Sequence, residues 1–367
     1  MVTALIFIAI LALIILAHEW GHFWAARRSG IRVEEFGFGF PPRLLAWKKN
    51  DTVFSLNLIP LGGFVKIFGE EGNETKGDPE SFAAQSVGRR AKIITAGVIM
   101  NVLLAFILLS FVQGLGVPSA FEGALPAGAQ NPIITIVEVV QNSPAGISGL
   151  KVGDGIVEMR SKDAVFKTAE VISESATLDK FHDFVQAHAG EELLLAVKRG
   201  GTIFTTTAIP RISHPTNEGA LGIAMVKTAL IKNPWYLAPW EGLKMTGQLI
   251  VTFSIAIVNI FKEAFTTGKL TESLTGPVGI IKITAQTVSL GFVFLLQLVA
   301  ILSINIALIN ILPFPALDGG RLLFLGVEKV RGRPLKKETE RWVNTAGFFL
   351  LILLMIFITI KDIHRIF

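Results

Sequence analysis

The first 17 residues of this 367-residue chain carry no charged side chain, and they lead directly into His18-Glu19-Trp20-Gly21-His22. Such an apolar run predicts a membrane-spanning helix over about residues 2–26. Ionisable groups are costly in a membrane helix and usually mark a functional site. On a helix, His18 and His22 lie one turn apart on one face, which suits a shared zinc ion with Glu19 as a general base. The motif therefore predicts a zinc site in a membrane protein.

The composition agrees with a membrane protein. Hydrophobic residues make up 51% of the chain, and the mean hydropathy of +0.57 is too high for an ordinary soluble enzyme. The net charge of +5 does not indicate nucleic acid, because the basic residues cluster beside apolar runs. The chain has no cysteine, so its metal ligands must be His, Asp or Glu.

The N-terminal run predicts a retained span rather than a cleaved signal peptide, because no basic residue precedes it. Arg27 and Arg28 follow the run, so the positive-inside rule places the N-terminus outside the cell and the motif nearer the cytoplasm. Gly21 leaves the backbone open for close approach by another segment.

Residues 33–66 are interrupted repeatedly by Gly and Pro. Val53 to Leu58 alternates apolar with polar residues, and Val33 to Phe38 is a plausible partner strand. We predict a re-entrant β-hairpin beside the zinc site, with an ordinary cytoplasmic loop as the alternative. The apolar content of the stretch favours burial at the membrane.

A second span is predicted over about residues 93–115, which completes an N-terminal membrane part at 1–115. It carries Gly97 and Asn101. Gly97 permits close helix packing, and Asn101 needs a polar partner within the membrane. Simple helix packing and a direct role near the zinc site both remain open for this pair.

Residues 118–211 are soluble in character, and Ser143 to Gly146 together with Gly149 to Ile156 resembles a PDZ domain. Leu178 to Gly190 is expected to be its helix, with strands at Leu193 to Arg199 and Thr202 to Ile209. The stretch from Ser161 to Thr177 is longer than the common pattern. PDZ domains bind extended peptides by strand addition, so the domain either binds a peptide C-terminus or acts only as a size filter.

Residues 212–287 are predicted to form linker helices, and 288–367 a C-terminal membrane part. Leu243 to Phe265 has a charge-free core of only a dozen residues, which favours an interfacial or re-entrant helix. Leu274 to Gly279 predicts a rigid turn. Further spans are expected over about residues 288–312 and 342–360, joined by a basic loop after Arg321.

The third predicted span ends in Asn310-Ile311-Leu312-Pro313-Phe314-Pro315-Ala316-Leu317-Asp318-Gly319-Gly320. The prolines must break the helix, and Asp318 then lies in a Gly-rich turn at membrane depth. Asp318 is either the N-cap of the next helix or a third zinc ligand. If Leu243 to Phe265 does not cross, four spans bring Asp318 to the depth of the histidines, so we prefer the ligand.

Taken together, these motifs resemble the site-2 protease family of intramembrane zinc metalloproteases (peptidase family M50), most closely its bacterial RseP-type members. The resemblance implies a polytopic α-helical membrane protein with a membrane-associated β-hairpin and one inserted PDZ domain, where the best-known members carry two. It also implies one zinc ion per chain on His18, His22 and Asp318, with Glu19 as the base. The implied substrate contacts are Asn310, Pro313, Pro315, Gly62 and Gly63, and Gly97 and Asn101 are further candidates.

The expected substrates are transmembrane segments of single-pass membrane proteins, such as anti-sigma factors or remnant signal peptides. An edge strand near Val53 to Leu58 is expected to hold the unwound segment by strand addition. The expected location is the bacterial inner membrane, with both termini and the PDZ domain outside the cytoplasm. A non-catalytic membrane PDZ scaffold is the alternative function, and a metal transporter fits less well because few polar residues line the spans.

Overall fold

The computed structural model describes residues 2–70, 77–125, 128–213, 215, 218–267, 276–333 and 335–366. They form two compact units. One comprises Met1–Ser110, Trp240–Ala285 and Leu296–Phe367, and the other comprises Phe111–Pro239 and Gln286–Leu295. We call them the helical unit and the sheet unit.

Ten α-helices lie in the described residues: α1 Val2–Arg28, α2 Val87–Leu115, α3 Pro144–Ile147, α4 Thr168–Val171, α5 Thr177–Ala187, α6 Ala238–Thr267, α7 Pro277–Leu290, α8 Phe292–Ile311, α9 Asp318–Arg331 and α10 Lys337–Ile366. The described strands are β1 Val33–Lys49, β2 Thr52–Ile67, β3 Val117–Ala120, β4 Ala129–Val139, β5 Gly155–Arg160, β6 Val165–Lys167, β7 Leu193–Arg199, β8 Thr202–Ala208 and β9 Ile223–Ile231.

Among the described residues, five helices are long and apolar enough to cross a membrane: α1, α2, α6, α8 and α10. Their apolar side chains are largely uncovered by protein, and only 6% of the α10 span is buried. Apolar surface of this extent is stable against lipid. The prediction of a polytopic helical membrane protein with a β-sheet region is therefore confirmed.

The end of α1 is fixed by a left-handed residue. Gly30 has φ +74°, a conformation that glycine adopts without steric cost. The Ile31 amide donates to the Ala26 carbonyl at 3.0 Å, and the Gly30 amide donates to the Arg27 carbonyl at 3.1 Å. This is the Schellman pattern, and it turns the chain from α1 into β1.

β1 and β2 form an antiparallel sheet in which both strands bend and pair more than once. Residues 33–38 pair with 63–67 on one side and with 53–56 on the other, and 53–56 also pair with 45–48. The predicted pairing of Val33 to Phe38 with the strand at Val53 to Leu58 is confirmed, but the prediction that Val53 to Leu58 is an edge strand is wrong, and re-entry into the membrane stays a prediction. In the described residues, 63–67 form one edge of this sheet and 45–49 the other.

Three predictions about the helices need correction. The sequence predicted an interfacial or re-entrant helix from a charge-free core of a dozen residues, but α6 is continuous over 30 residues and is long and apolar enough to cross a membrane. The hydroxyls of Thr246 and Ser254 within it donate to carbonyls of the preceding turn. The third span does not begin at 288, since Gly291 has φ +114° and separates α7 from α8. The basic loop after Arg321 contains α9, whose first residue is Asp318.

The helical unit has two buried cores. One joins the ends of α1, α2 and α9 to the sheet through residues such as Ala26, Ile67, Ile94 and Leu325. The other joins α2, α6 and α8 around Ala105, Leu109, Ala300 and Ile304. The first core packs α9 and the sheet against α1 and α2, which positions the histidine motif, and the second packs α6 and α8 against α2.

The sheet unit contains a seven-stranded sheet in the order β3-β9-β4-β5-β7-β8, with β6 paired to β5. The strand predicted at Leu193 to Arg199 is β7 with the same bounds, and the predicted helix at Leu178 to Gly190 is α5. β6 and α4 occupy the long stretch from Ser161 to Thr177. The PDZ identity of this unit stays a prediction. Of the predicted turn at 274–279, residues 274 and 275 lie outside the described residues.

Candidate metal centre

Three side chains from distant parts of the sequence meet in the helical unit. Nε2 of His18 lies 3.1 Å from Nε2 of His22, and Oδ2 of Asp318 lies 3.1 Å from the first and 3.3 Å from the second. Both histidines are buried. The potential ligand atoms of all three residues lie within 4.8 Å of one another. The sequence prediction that these residues share one site agrees with this geometry.

The triangle fits a zinc ion. Zinc binds imidazole nitrogen and carboxylate oxygen at about 2.0–2.2 Å, and in a tetrahedral site neighbouring ligand atoms are about 3.3 Å apart. The observed edges of 3.1–3.3 Å match that spacing. Oδ2 of Asp318 is buried without a hydrogen-bond partner among the described residues. A metal ion would satisfy this oxygen, which would otherwise carry a desolvation cost.

A hydrogen bond to the backbone of α2 orients the ring of His22. Its Nδ1 donates to the carbonyl of Ile93 in α2 at 2.9 Å. A carbonyl only accepts, so the proton lies on Nδ1 and the lone pair of Nε2 points into the triangle. The amide nitrogen of Asn310 lies 3.4 Å from Nε2 of His18. Asn310, which the resemblance placed beside the substrate, is therefore next to a candidate ligand.

Two glycines let α1 and α2 approach closely enough to form the site. A β-carbon at Gly21 would overlap the backbone of Ala96 and lie 2.9 Å from Cβ of Met100. A β-carbon at Gly97 would overlap the His22 ring and lie 2.8 Å from Cε1 of His18. Gly97 therefore lies directly against the histidines, so the role near the site that its sequence left open is supported by the packing.

Asp318 is held at the start of α9 by a glycine pair. β-carbons at Gly319 and Gly320 would overlap the carbonyls of Ile311, Leu312 and Phe314. The preceding turn packs on α10, since a β-carbon at Gly347 would lie 2.6 Å from Cβ of Pro315. The N-cap of α9 is Leu317, not Asp318. The carboxylate of Asp318 is thus left for the histidines rather than for capping.

A second charged side chain follows Asp318 in α9. Arg321, one turn further along α9, pairs with Glu70 after β2. This ion pair could not be predicted from the sequence, because no local pattern connects residues 251 positions apart.

Glu19 lies between the histidines and the sheet edge. A β-carbon at Gly63 would lie 3.1 Å from Cγ of Glu19 and 3.2 Å from Cγ2 of Ile15. Gly63 is therefore in contact with the helix turn that carries the motif. Gly62 has φ +135°, and a β-carbon there would overlap the ring of Phe40. The segment that carries both glycines begins the sheet edge at 63–67.

The remaining candidates are less directly placed. Asn101 is fully buried, and the described residues offer no hydrogen-bond partner for either side-chain amide atom. Its backbone carbonyl accepts from Ser303 in α8 at 2.8 Å. Pro313 and Pro315 lie in the turn between α8 and α9, and the last carbonyls of α8 lie in close contact with Gly319.

Two histidines, an aspartate and an adjacent glutamate on an apolar helix are the elements of a membrane-embedded zinc metalloprotease. The chain belongs to peptidase family M50, whose model matches residues 6–354. It is a zinc metalloprotease, and with its apolar helices it is a multi-pass membrane protein.

The sequences of several known proteins align with nearly the whole chain. The zinc metalloprotease candidate CA_C1796 of Clostridium acetobutylicum is 35% identical over 364 residues, covering 98% of this chain and 97% of the relative. Zinc metalloprotease RasP of Oceanobacillus iheyensis is 29% identical over 457 residues, covering 100% of both chains. Regulator of sigma-W protease RasP of Bacillus subtilis is 28% identical over 449 residues, covering 100% and 99%. The RasP alignments are longer than this chain, so they include positions without a counterpart here.

Proposed function

We propose that this chain is an intramembrane endopeptidase that cleaves transmembrane segments of single-pass membrane proteins. His18, His22 and Asp318 hold one zinc ion, and Glu19 is the general base. The observation that carries the proposal is the Nε2, Nε2 and Oδ2 triangle with edges of 3.1–3.3 Å inside an apolar helical unit. A site at this position meets its substrate within the membrane.

When bound, zinc supplies two effects at such a site: it lowers the pKa of a water molecule toward about 7, and it polarises a peptide carbonyl. Glu19 accepts the proton of the attacking water and passes it to the leaving amine. We propose that the amide of Asn310, which lies 3.4 Å from Nε2 of His18, donates to the developing oxyanion. Ile93 keeps His22 in the tautomer that leaves Nε2 as a ligand.

The backbone carbonyls of a helical substrate accept hydrogen bonds within the helix, so the helix must unwind before a peptide bond can be hydrolysed. Residues 63–67 pair on one side only among the described strands, and this edge begins at Gly63 beside Glu19. An unwound segment that adds to this edge lies next to the base. The edge at 63–67 replaces Val53 to Leu58 as the proposed substrate strand.

The proposed topology has the N-terminus outside, four crossings and the sheet unit outside the cytoplasm. Packing supports the view that Gly242 and Gly276 lie on the same side of the membrane. Gly242 lies against Ser110 near the end of α2. Gly276 lies against Asp362 near the end of α10. α2 and α10 both start on the metal side, so both contacts lie on the opposite side of the membrane.

For the sheet unit we propose a PDZ-like domain that either binds a peptide C-terminus or limits the size of substrates. The Bacillus subtilis relative is named as a regulator of sigma-W protease. By analogy, we propose anti-sigma factors and remnant signal peptides as substrates of this chain. A non-catalytic scaffold is disfavoured, because a scaffold would not require a complete ligand triangle with Glu19 beside it.

The proposal is tested by reconstituting the purified chain in lipid vesicles with a single-pass substrate protein. Mass spectrometry then maps the products. We expect a single cut inside the substrate's transmembrane segment. Cuts confined to its water-exposed parts would overturn the intramembrane assignment.

A further inference from the structure

A cavity of about 510 Å³ lies between α1 and α2, and the function proposed above does not use it. It is lined on the α1 side by Trp20, Trp24 and Arg28 and on the α2 side by Lys92, Ile99 and Leu103, among others. By helical spacing, Trp20 and Trp24 point away from the face that carries His18 and His22. The cavity is therefore separate from the metal centre.

One end of this cavity is cationic and the rest is apolar. Arg28 and Lys92 line the end where α1 finishes and α2 begins. Neither cation forms an ion pair with a carboxylate among the described residues. The Arg28 guanidinium lies 5.0 Å from the centre of the Trp24 ring, a cation–π arrangement that leaves its N–H groups for a further partner. The positive charges of Arg28 and Lys92 therefore favour the binding of an anion at this end.

The apolar part continues beyond the cavity. A second cavity of about 490 Å³ shares Trp20, Met100 and Leu103 with the first and reaches Leu13 and Ile107. Along α2, the track from Lys92 to Ile107 is about 22 Å long. That is about half the thickness of a bilayer with its headgroups. The track therefore has the length of a single lipid.

Neither cavity has the volume of a transmembrane helix. A helix with side chains is about 10 Å wide, so 20 Å of helix would fill roughly 1,500 Å³. The volumes of about 510 and 490 Å³ suit extended hydrocarbon chains instead. Basic pockets between membrane helices bind the headgroups of anionic lipids.

We infer that this groove binds one anionic phospholipid, with its phosphate between Arg28 and Lys92 and an acyl chain along Trp20 and Leu103. The lipid covers the contact of Gly21 with Ala96, both of which line the cavity. It thereby supports the helix pair that carries the histidines. The inference does not depend on the proposed peptidase function, because Arg28 and Lys92 have no part in it.

The test is native mass spectrometry of the full chain in detergent, titrated with phosphatidylglycerol or with phosphatidylcholine of the same acyl chains. We expect one phosphatidylglycerol to be retained in preference. Each cation contributes about fivefold at an anionic lipid, so Arg28→Gln with Lys92→Gln should weaken binding on the order of 25-fold. The control, Arg27→Gln with Arg89→Gln, removes equal charge from the same helices outside the cavity and should weaken binding less than about threefold.

Equal losses in the two double variants, or equal retention of the two lipids, would overturn the inference. So would equally tight binding of glycerol phosphate without acyl chains, or displacement of the lipid by an equimolar transmembrane peptide. A second measurement uses phosphatidylglycerol with brominated chains at stoichiometric amounts. It should quench tryptophan fluorescence, and this quenching should fall in Trp20→Phe but persist in Trp342→Phe on α10. Unchanged quenching in Trp20→Phe would place the lipid elsewhere.

Discussion

Gly97 lies directly against the candidate ligands His18 and His22. The absence of a β-carbon at this position leaves the space that the two imidazole rings occupy. A β-carbon there would overlap the His22 ring and approach His18. The same helix contains Gly88, which has nothing within 4 Å of the position a β-carbon would take. The two positions therefore separate an effect on the metal centre from a general effect of replacing glycine in α2.

We expect Gly97→Ala to lower zinc affinity and proteolysis by about 10- to 100-fold, the range seen when groups that orient metal ligands are altered. Zinc content after dialysis against graded chelator measures the affinity. Gly88→Ala should retain the affinity of the unmodified chain. Equal zinc affinity in the two variants would show that α2 does not restrict the histidines.

The start of helix α9 depends on close contact between its glycines and the preceding backbone. Gly320 lies against the Phe314 carbonyl, whereas Gly326 in the same helix has open space around it. We predict opposite signs for the two alanine variants. Gly320→Ala should displace Asp318 and lower both zinc content and the melting temperature. Gly326→Ala should raise stability by up to about 1 kcal/mol, because alanine favours helix. A melting temperature that rises in both variants would contradict this packing.

The sheet also has two edges that can be compared. Since the chain has no cysteine, Lys66→Cys and Lys48→Cys each introduce a single thiol on an opposite edge segment. With a substrate that carries one cysteine in its cleaved segment, we expect oxidation to cross-link position 66 at least tenfold more than position 48, as short-range strand addition requires. A preference for position 48, or none, would reject the edge at 63–67.

The sequence identified the elements with strong local patterns. The residues 18, 19 and 22 could be predicted because their spacing on a helix is itself the signal, and Asp318 followed because a proline-broken span had to end near them. The edge of the sheet could not be predicted, since 33–38 pairs on both sides only after β2 folds back. The length of α6 could not be predicted from its charge-free core of a dozen residues, because the helix continues on both sides of that core over 30 residues. Ile93 and the ion pair of Glu70 with Arg321 depend on tertiary contact, which leaves no local signature.

The distribution of basic residues and the packing of the helices predict the same orientation of the whole molecule in the membrane. Membrane-impermeant maleimide on intact cells should label Lys167→Cys in the sheet unit, which the proposed topology places outside. It should label Lys336→Cys, between α9 and α10, only after the membrane is permeabilised. Both residues are exposed, so accessibility within the fold does not limit the reaction. The reverse labelling pattern would invert the topology and place the metal centre near the outer face.

In the proposed mechanism, Glu19 transfers protons at the zinc centre but is not a ligand of the metal. In the vesicle assay, Glu19→Gln should retain one zinc per chain and lose at least about 100-fold in cleavage, since a positioned general base contributes at least that factor. The exposed Glu122→Gln in the sheet unit should leave both quantities unchanged. Cleavage that persists in Glu19→Gln with zinc bound would contradict the account.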